Sequence, residues 1–211
     1  IGAVDAEKVS LNKDISELYG AKIVVVHEST KSLLPAMASA LRSWQSNPDA
    51  MYVVGSVAGP SPYPRMVRTW ASVIGRIAKQ QFKQITGKVP STLFCVCGGG
   101  SNLLSMAYPL LKDKTEIFAV ESAGEGIPTG RHGATILGGS KMGILLGFKS
   151  KVVMKSAQIA ESLTEASGLD FAAVGPEVAY LHSINRIKFR TSTDLEAKKT
   201  FIMCCEKLGI V

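Results

Sequence analysis

The chain has 211 residues, 46% of them apolar, with 24 Lys and Arg against 17 Asp and Glu and a formal charge of +7 at pH 7. That apolar share can bury a substantial core, which excludes a disordered chain. The basic balance attracts anions in general, and a phosphorylated cofactor or an acidic partner suits it as well as nucleic acid does.

Apolar runs such as residues 23–26 and 92–96 are far too short to cross a bilayer, and the N-terminus lacks a basic region followed by a long apolar one. No membrane association and a cytoplasmic location are therefore expected. A start at Ile1 with no initiator Met reads as a processed product or an excised segment. Cys95 and Cys97 fall in an expected strand, Cys204 and Cys205 in an expected helix. Neither pair has the gaps, with His at similar spacing, that a zinc site needs, so buried reduced thiols and no metal are expected.

In chain order, short apolar runs alternate with longer stretches of helical period, the pattern of an α/β fold around a largely parallel sheet. Residues 21–27 form the first expected strand. Residues 33–44 follow as a helix with Leu34, Met37, Ala38 and Leu41 on one face. A second strand at 51–54 runs into a loop at 55–64, because Pro60, Pro62 and Pro64 cannot donate to a ladder. The spacing of Met66, Trp70, Val73, Ile74, Ile77, Phe82 and Ile85 predicts one helix over 64–86, with Pro64 at its start and Gly87 just past its end. Arg65, Arg68, Arg76, Lys79 and Lys83 are strung along this stretch as a solvated face, not clustered with exposed aromatics, so no nucleic-acid partner is expected.

A strand at 91–97 runs directly into Gly98, Gly99, Gly100, Ser101 and Asn102, and a helix follows at 103–111. Another strand, 116–120, ends in a second glycine-rich segment at 124–139. A loop is expected around 168–176. The last helix opens with Thr193 and Glu196 at capping-box spacing, presents Phe201, Ile202, Cys205 and Leu208, and ends at Gly209.

A strand, three glycines, a serine, an asparagine and then a helix form a recipe for holding a phosphate. Glycines let the backbone come close, successive N–H groups point at the anion, and the start of the helix adds partial positive charge. The hydroxyl of Ser101 and the amide of Asn102 are further donors. A nucleotide P-loop would need Lys followed by Ser or Thr, and a dinucleotide fingerprint a third glycine, where Leu103 stands. A small phosphorylated cofactor or substrate remains, beside the alternative of a tight turn with no ligand.

The run from Cys97 through Gly98, Gly99, Gly100 and Ser101 to Asn102 resembles the phosphate-binding segment of tryptophan synthase β chains, which are fold-type II pyridoxal-phosphate enzymes. More stretches are similar to the same family in the same order, at residues 55–64, at 120–132, and at 167–171 with 174–181. The resemblance implies a mostly parallel sheet flanked by helices and incomplete at both ends. Residues 1–55 would be part of a mobile N-terminal domain and residues 56–211 part of the larger cofactor-binding domain.

The activity implied is a pyridoxal 5′-phosphate-dependent lyase that condenses L-serine with indole to give L-tryptophan, in a homodimer paired with an α chain. By motif match Gly98, Gly99, Gly100, Ser101 and Asn102 would hold the phosphate, with Gly55 and Ser56 beside the cofactor. Asp170 would act in closure and touch the serine hydroxyl, and Leu146 and Phe171 would line the substrate passage. The family's Schiff-base lysine follows a histidine upstream of the matched region, and no His is followed by Lys in this chain. The family's mobile-domain arginine, the closure partner of that acid, aligns with Lys8, a point charge in place of a planar fork. Three readings stay open: a segment of an active β chain, a non-catalytic truncated relative that binds a phosphate or pyridoxal phosphate, and a basic partner-binding module.

Overall fold

The computed structural model describes residues 1–155 and 158–210; residues 156, 157 and 211, inside the range expected for the larger domain, lie outside the described residues. The chain divides into two units, Ile1–Val54 and Gly55–Val211.

The first unit holds α1 (Ala3–Lys8), α2 (Ser10–Leu18) and α3 (Leu33–Ser46), the last matching the helix expected at 33–44. The strands expected at 21–27 and 51–54 do not form ladders. Val26 makes only an isolated parallel bridge to Gly2, while Met51 and Val53 are 87% and 85% exposed. A β-prone apolar run becomes a strand only where a neighbour offers a matching row of N–H and C=O groups. Among the described residues the first run meets only the short stretch at residues 1–3, and the second pairs with no strand.

The second unit opens with α4 (Tyr63–Ala71) and α5 (Val73–Thr86), where one helix over 64–86 was expected. The break falls at Ser72, which is fully buried. Its hydroxyl donates to the Thr69 carbonyl at 2.8 Å and accepts from Arg76 Nη1 at 2.7 Å, a local competitor for the helix ladder. α5 lies close on the next helix. A Cβ on Gly75 would stand 2.5 Å from the Met106 carbonyl oxygen.

Next come β1 (Thr92–Val96), α6 (Ser101–Ala107) continuing as a tighter turn over Tyr108–Leu110, and β2 (Glu116–Gly124), longer than the strand expected at 116–120. An excursion follows, with hairpins β3 (Lys141–Leu145) with β4 (Phe148–Val152) and β5 (Met154–Lys155) with β6 (Gln158–Ile159), and then α7 (Pro176–Ser183). The chain returns as β7 (Lys188–Thr193) and ends in α8 (Asp194–Leu208), whose expected capping box is present, with Thr193 Oγ1 accepting from Glu196 N–H at 3.2 Å.

β1, β2 and β7 form one parallel sheet in that order, with Val96 level with Val120 and Val120 with Arg190. Alternation decides its two faces. Cys95, Cys97, Ile117, Ala119, Ile187 and Phe189 point into the core with Leu103, Leu104, Val174 and Val178. On the other face Phe94 stacks on Phe118 at 4.9 Å, with Arg190 5.2 Å from the Phe118 ring, and Phe94 is 65% exposed. No helix among the described residues is long and apolar enough to cross a membrane.

Candidate functional site

All three parallel strands deliver their C-terminal ends to one edge, the edge at which open α/β sheets bind ligands. β1 leads into Gly98, Gly99 and Gly100; β2 brings Glu121 and Ser122; β7 leads into Asp194.

Close packing favours glycine at all three positions and requires it at Gly100. A Cβ on Gly98 would lie 3.0 Å from Leu169 Cα and 3.1 Å from the Gly168 carbonyl oxygen. One on Gly99 would meet Ala58 Cβ at 3.3 Å, Ser56 Oγ at 3.4 Å and Phe171 Cδ1 at 3.8 Å. Gly100, at φ +106°, faces Val178. Three chain segments therefore close on the loop: residues 56–58, residues 168–171 and the first turn of α7. A bond from Gly175 N–H to the Gly99 carbonyl, 2.8 Å, fastens the third.

Among the described residues, the backbone N–H groups of Gly98, Gly99, Gly100, Ser101 and Asn102 donate to no protein acceptor, while the flanking Cys97 N–H donates to Val120 and the Leu104 N–H to Gly100. The loop thus presents a run of uncommitted donors at the start of a helix, a composition suited to an anion. The side chains serve the loop as well. Ser101 Oγ accepts from the Val57 N–H at 3.0 Å, which leaves its own proton free to donate, and Asn102 Nδ2 donates to the Val96 carbonyl at 3.3 Å. Ser56 Oγ accepts from Ala58 N–H at 3.0 Å.

The other residues singled out in the sequence are spread more widely. Phe171 and Asp170 are buried within the covering segment 168–171, Phe171 against Gly99. Gly55 is exposed, with nothing within 4 Å of the Cβ it lacks. Leu146 stands at the tip of the β3–β4 hairpin at φ +45°, and its neighbour Gly147 faces Pro60. A cleft of about 380 Å³ opens there, lined by Pro60, Arg65, Gly147, Phe148, Lys149 and Glu177 among others.

Sequence reasoning missed Glu121. It is 1% exposed, and its carboxylate accepts three backbone N–H bonds, from Thr135 at 2.9 Å, Ile136 at 2.7 Å and Leu137 at 3.0 Å. Burial pushes its pKa above the ordinary carboxylate range against the pull of those donors. Burial, helped by Glu121 and Cys95, also raises the thiol of Cys97 beneath the loop. An acid ending an apolar strand was the available signal. Its partners lie in the second glycine-rich segment, where spacing gives no pointer to them.

No protein-family model matches the chain. Among curated proteins, the chain is 40% identical over 214 residues to the tryptophan synthase beta chain of Methylobacterium nodulans, covering 100% of this chain and 52% of that protein. It is 40% identical to the one from Pseudomonas syringae pv. tomato and 41% identical to the one from Shouchella clausii, again over the whole of this chain and 52% and 53% of theirs. The chain spans about half the length of the curated relatives it matches.

Proposed function

This chain is a partial relative of the tryptophan synthase β chains, matched along its entire length, and on that premise we infer that it is the phosphate-gripping part of a pyridoxal 5′-phosphate-dependent lyase that joins L-serine to indole. The observation that carries this reading is the run of uncommitted N–H donors from Gly98 to Asn102, in a loop whose three glycines are closely covered by neighbouring segments.

The residues present fit the cofactor's phosphate. In this reading the amides of Gly98, Gly99 and Gly100, with those of Ser101 and Asn102, grip its oxygens, and the Ser101 hydroxyl proton adds a further donor. Gly55 and Ser56 lie beside the ring. When bound, the cofactor supplies the electron sink on which substrate carbanion character is stabilised. The chain's own groups orient it and keep water out, with Phe171 as apolar wall. Asp170 acts on the serine hydroxyl, and Leu146 borders the route for indole. The Schiff-base lysine of the family has no counterpart here, since none of His27, His132 and His182 is followed by Lys. A homodimer, an α-chain partner and a cytoplasmic location belong to the same reading.

The test is a titration of the 211-residue chain with pyridoxal 5′-phosphate, followed by phosphorus NMR and by borohydride reduction. Saturable binding, lost in Gly99→Ala and leaving no single labelled lysine, is expected. Absence of binding, or one stoichiometric lysine adduct, would refute the assignment.

A further inference from the structure

The polar cluster at the C-terminal end of β2 is assigned no role in the phosphate-gripping function. Asp194, the first residue of α8, is fixed in place by the capping box around it. Its Oδ1 accepts from Thr164 Oγ1 at 2.7 Å and from Ser122 Oγ at 3.2 Å, and its Oδ2 accepts from the Glu165 N–H at 2.9 Å. Ser122 and Thr164 are buried and their hydroxyls lie 2.6 Å apart. One carboxylate therefore joins three separate pieces of chain: strand β2, the segment at 164–165 and helix α8.

The segment so held is the one that covers the glycine loop. Thr164 Oγ1, donating to Asp194, accepts in turn from the Ala166 N–H at 3.1 Å, and the Ala166 carbonyl accepts from the Leu169 N–H at 2.8 Å. Leu169 is the residue whose Cα lies 3.0 Å from the missing Gly98 Cβ. A chain of three hydrogen bonds thus runs from Asp194 through Thr164 and Ala166 to Leu169, whose backbone packs closely against Gly98. Hydrogen bonds to a carboxylate are stronger than neutral ones and polarise the bonds beyond them, so the charged end sets how firmly the cover is held. The positive end of the 15-residue α8 favours a negative charge at that position.

We propose that Asp194 is a positioning residue for the phosphate site, acting through Thr164 and Leu169 on the backbone of Gly98. This rests on the phosphate-gripping reading for its ligand, while the geometry can be tested without one. The chain of bonds acts by holding residues 164–169 against Gly98, which fixes the backbone of the loop. Asp194 itself touches no ligand.

The experiment compares Asp194→Asn with Arg186→Ala in the 211-residue chain. Arg186 donates to the carbonyls of Leu110, Leu111 and Asp113 on another part of the fold, so its loss lowers stability without touching the relay. Asp194→Asn should weaken binding of pyridoxal 5′-phosphate about ten-fold, the equivalent of one charge-assisted hydrogen bond, and leave binding of unphosphorylated pyridoxal unchanged. Hydrogen exchange should quicken at the Leu169 amide and at the Gly175 amide, which reports on Gly99. Arg186→Ala should do neither. Wild-type affinity and exchange in Asp194→Asn, or the same changes in Arg186→Ala at matched loss of Tm, would overturn the proposal. Should Asp194→Asn not fold, Thr164→Val, which keeps the carboxylate but removes the relay hydroxyl, is judged by the same criteria. If the wild-type chain takes up no pyridoxal phosphate, the functional reading falls. The Asp194 assignment is then decided by exchange alone, supported if Leu169 and Gly175 quicken and overturned if they do not.

Discussion

The Cγ2 of Val178 stands 2.5 Å from the position a Cβ on Gly100 would take. Helix α7 is thus pressed against the glycine loop, and Arg68 helps to hold it there, donating to Glu177 at 2.5 Å while lying 4.1 Å over the Tyr108 ring. Gly100→Ala should cost on the order of 3 kcal/mol, since it adds a backbone conformation unsuited to side chains to an overpacked contact. Urea denaturation measures this. The double variant with Val178→Ala should recover the packing part only, so full recovery, or no loss in the single variant, would contradict the geometry.

Cys95 is buried and its thiol is pushed up to about 11 by desolvation. A folded pKa above the unfolded one contributes stability that is complete below the unfolded thiol's pKa, roughly 8.5, and is lost as the pH climbs through the folded value. The denaturation midpoint should therefore fall between about pH 8.5 and 11, and Cys95→Ala should flatten that fall. At pH 8 an alkylating reagent should label the half-exposed Cys204 and Cys205 well before Cys95 and Cys97.

Glu121 should give a second slope, at acid pH. Its folded pKa is raised by burial, so the folded chain holds a proton that the unfolded chain releases, and stability drops as the pH rises from about 4.3 through the raised value. Glu121→Gln should abolish this slope. It should also cost about 1–3 kcal/mol at low pH, because one amide oxygen cannot receive three N–H groups as well as a carboxyl group does. A Gln variant with the wild-type pH profile would mean that Glu121 does not titrate in this window.

Leu146 sits at φ +45° and Gly147 at φ +82° in the two-residue connection between β3 and β4. Such a turn asks for positive φ at both positions, which asparagine and glycine meet at little cost and leucine does not. Leu146→Asn should raise stability by about 0.5–1 kcal/mol, read as an increase in Tm. A Tm decrease would show that packing of the leucine outweighs its strain.

What the sequence made legible was local. The strand, glycines and helix of residues 91–107 could be read because each step follows from its neighbours, and the capping box of Thr193 and Glu196 lies within four residues. The two apolar runs at 21–27 and 51–54 misled for the same reason, since propensity is local while a strand needs a partner. The break at Ser72 was invisible because a serine fits a helix until burial turns its hydroxyl onto Thr69 and Arg76. Glu121 and Asp194 were out of reach because their bonds close over long stretches of chain, Asp194 to Ser122 and Thr164 above all.

β2 and β7 are hydrogen-bonded neighbours, yet everything from residue 125 to residue 187 intervenes between them, and that detour contains two of the three segments that close on the glycine loop. Closing so long a segment is entropically slow beside the short crossover that joins β1 to β2. The donor-bearing turn at 98–102 should therefore mature before its lid. If the loop grips a phosphate as proposed, its donors would be in place during refolding before residues 168–171 and α7 close over them.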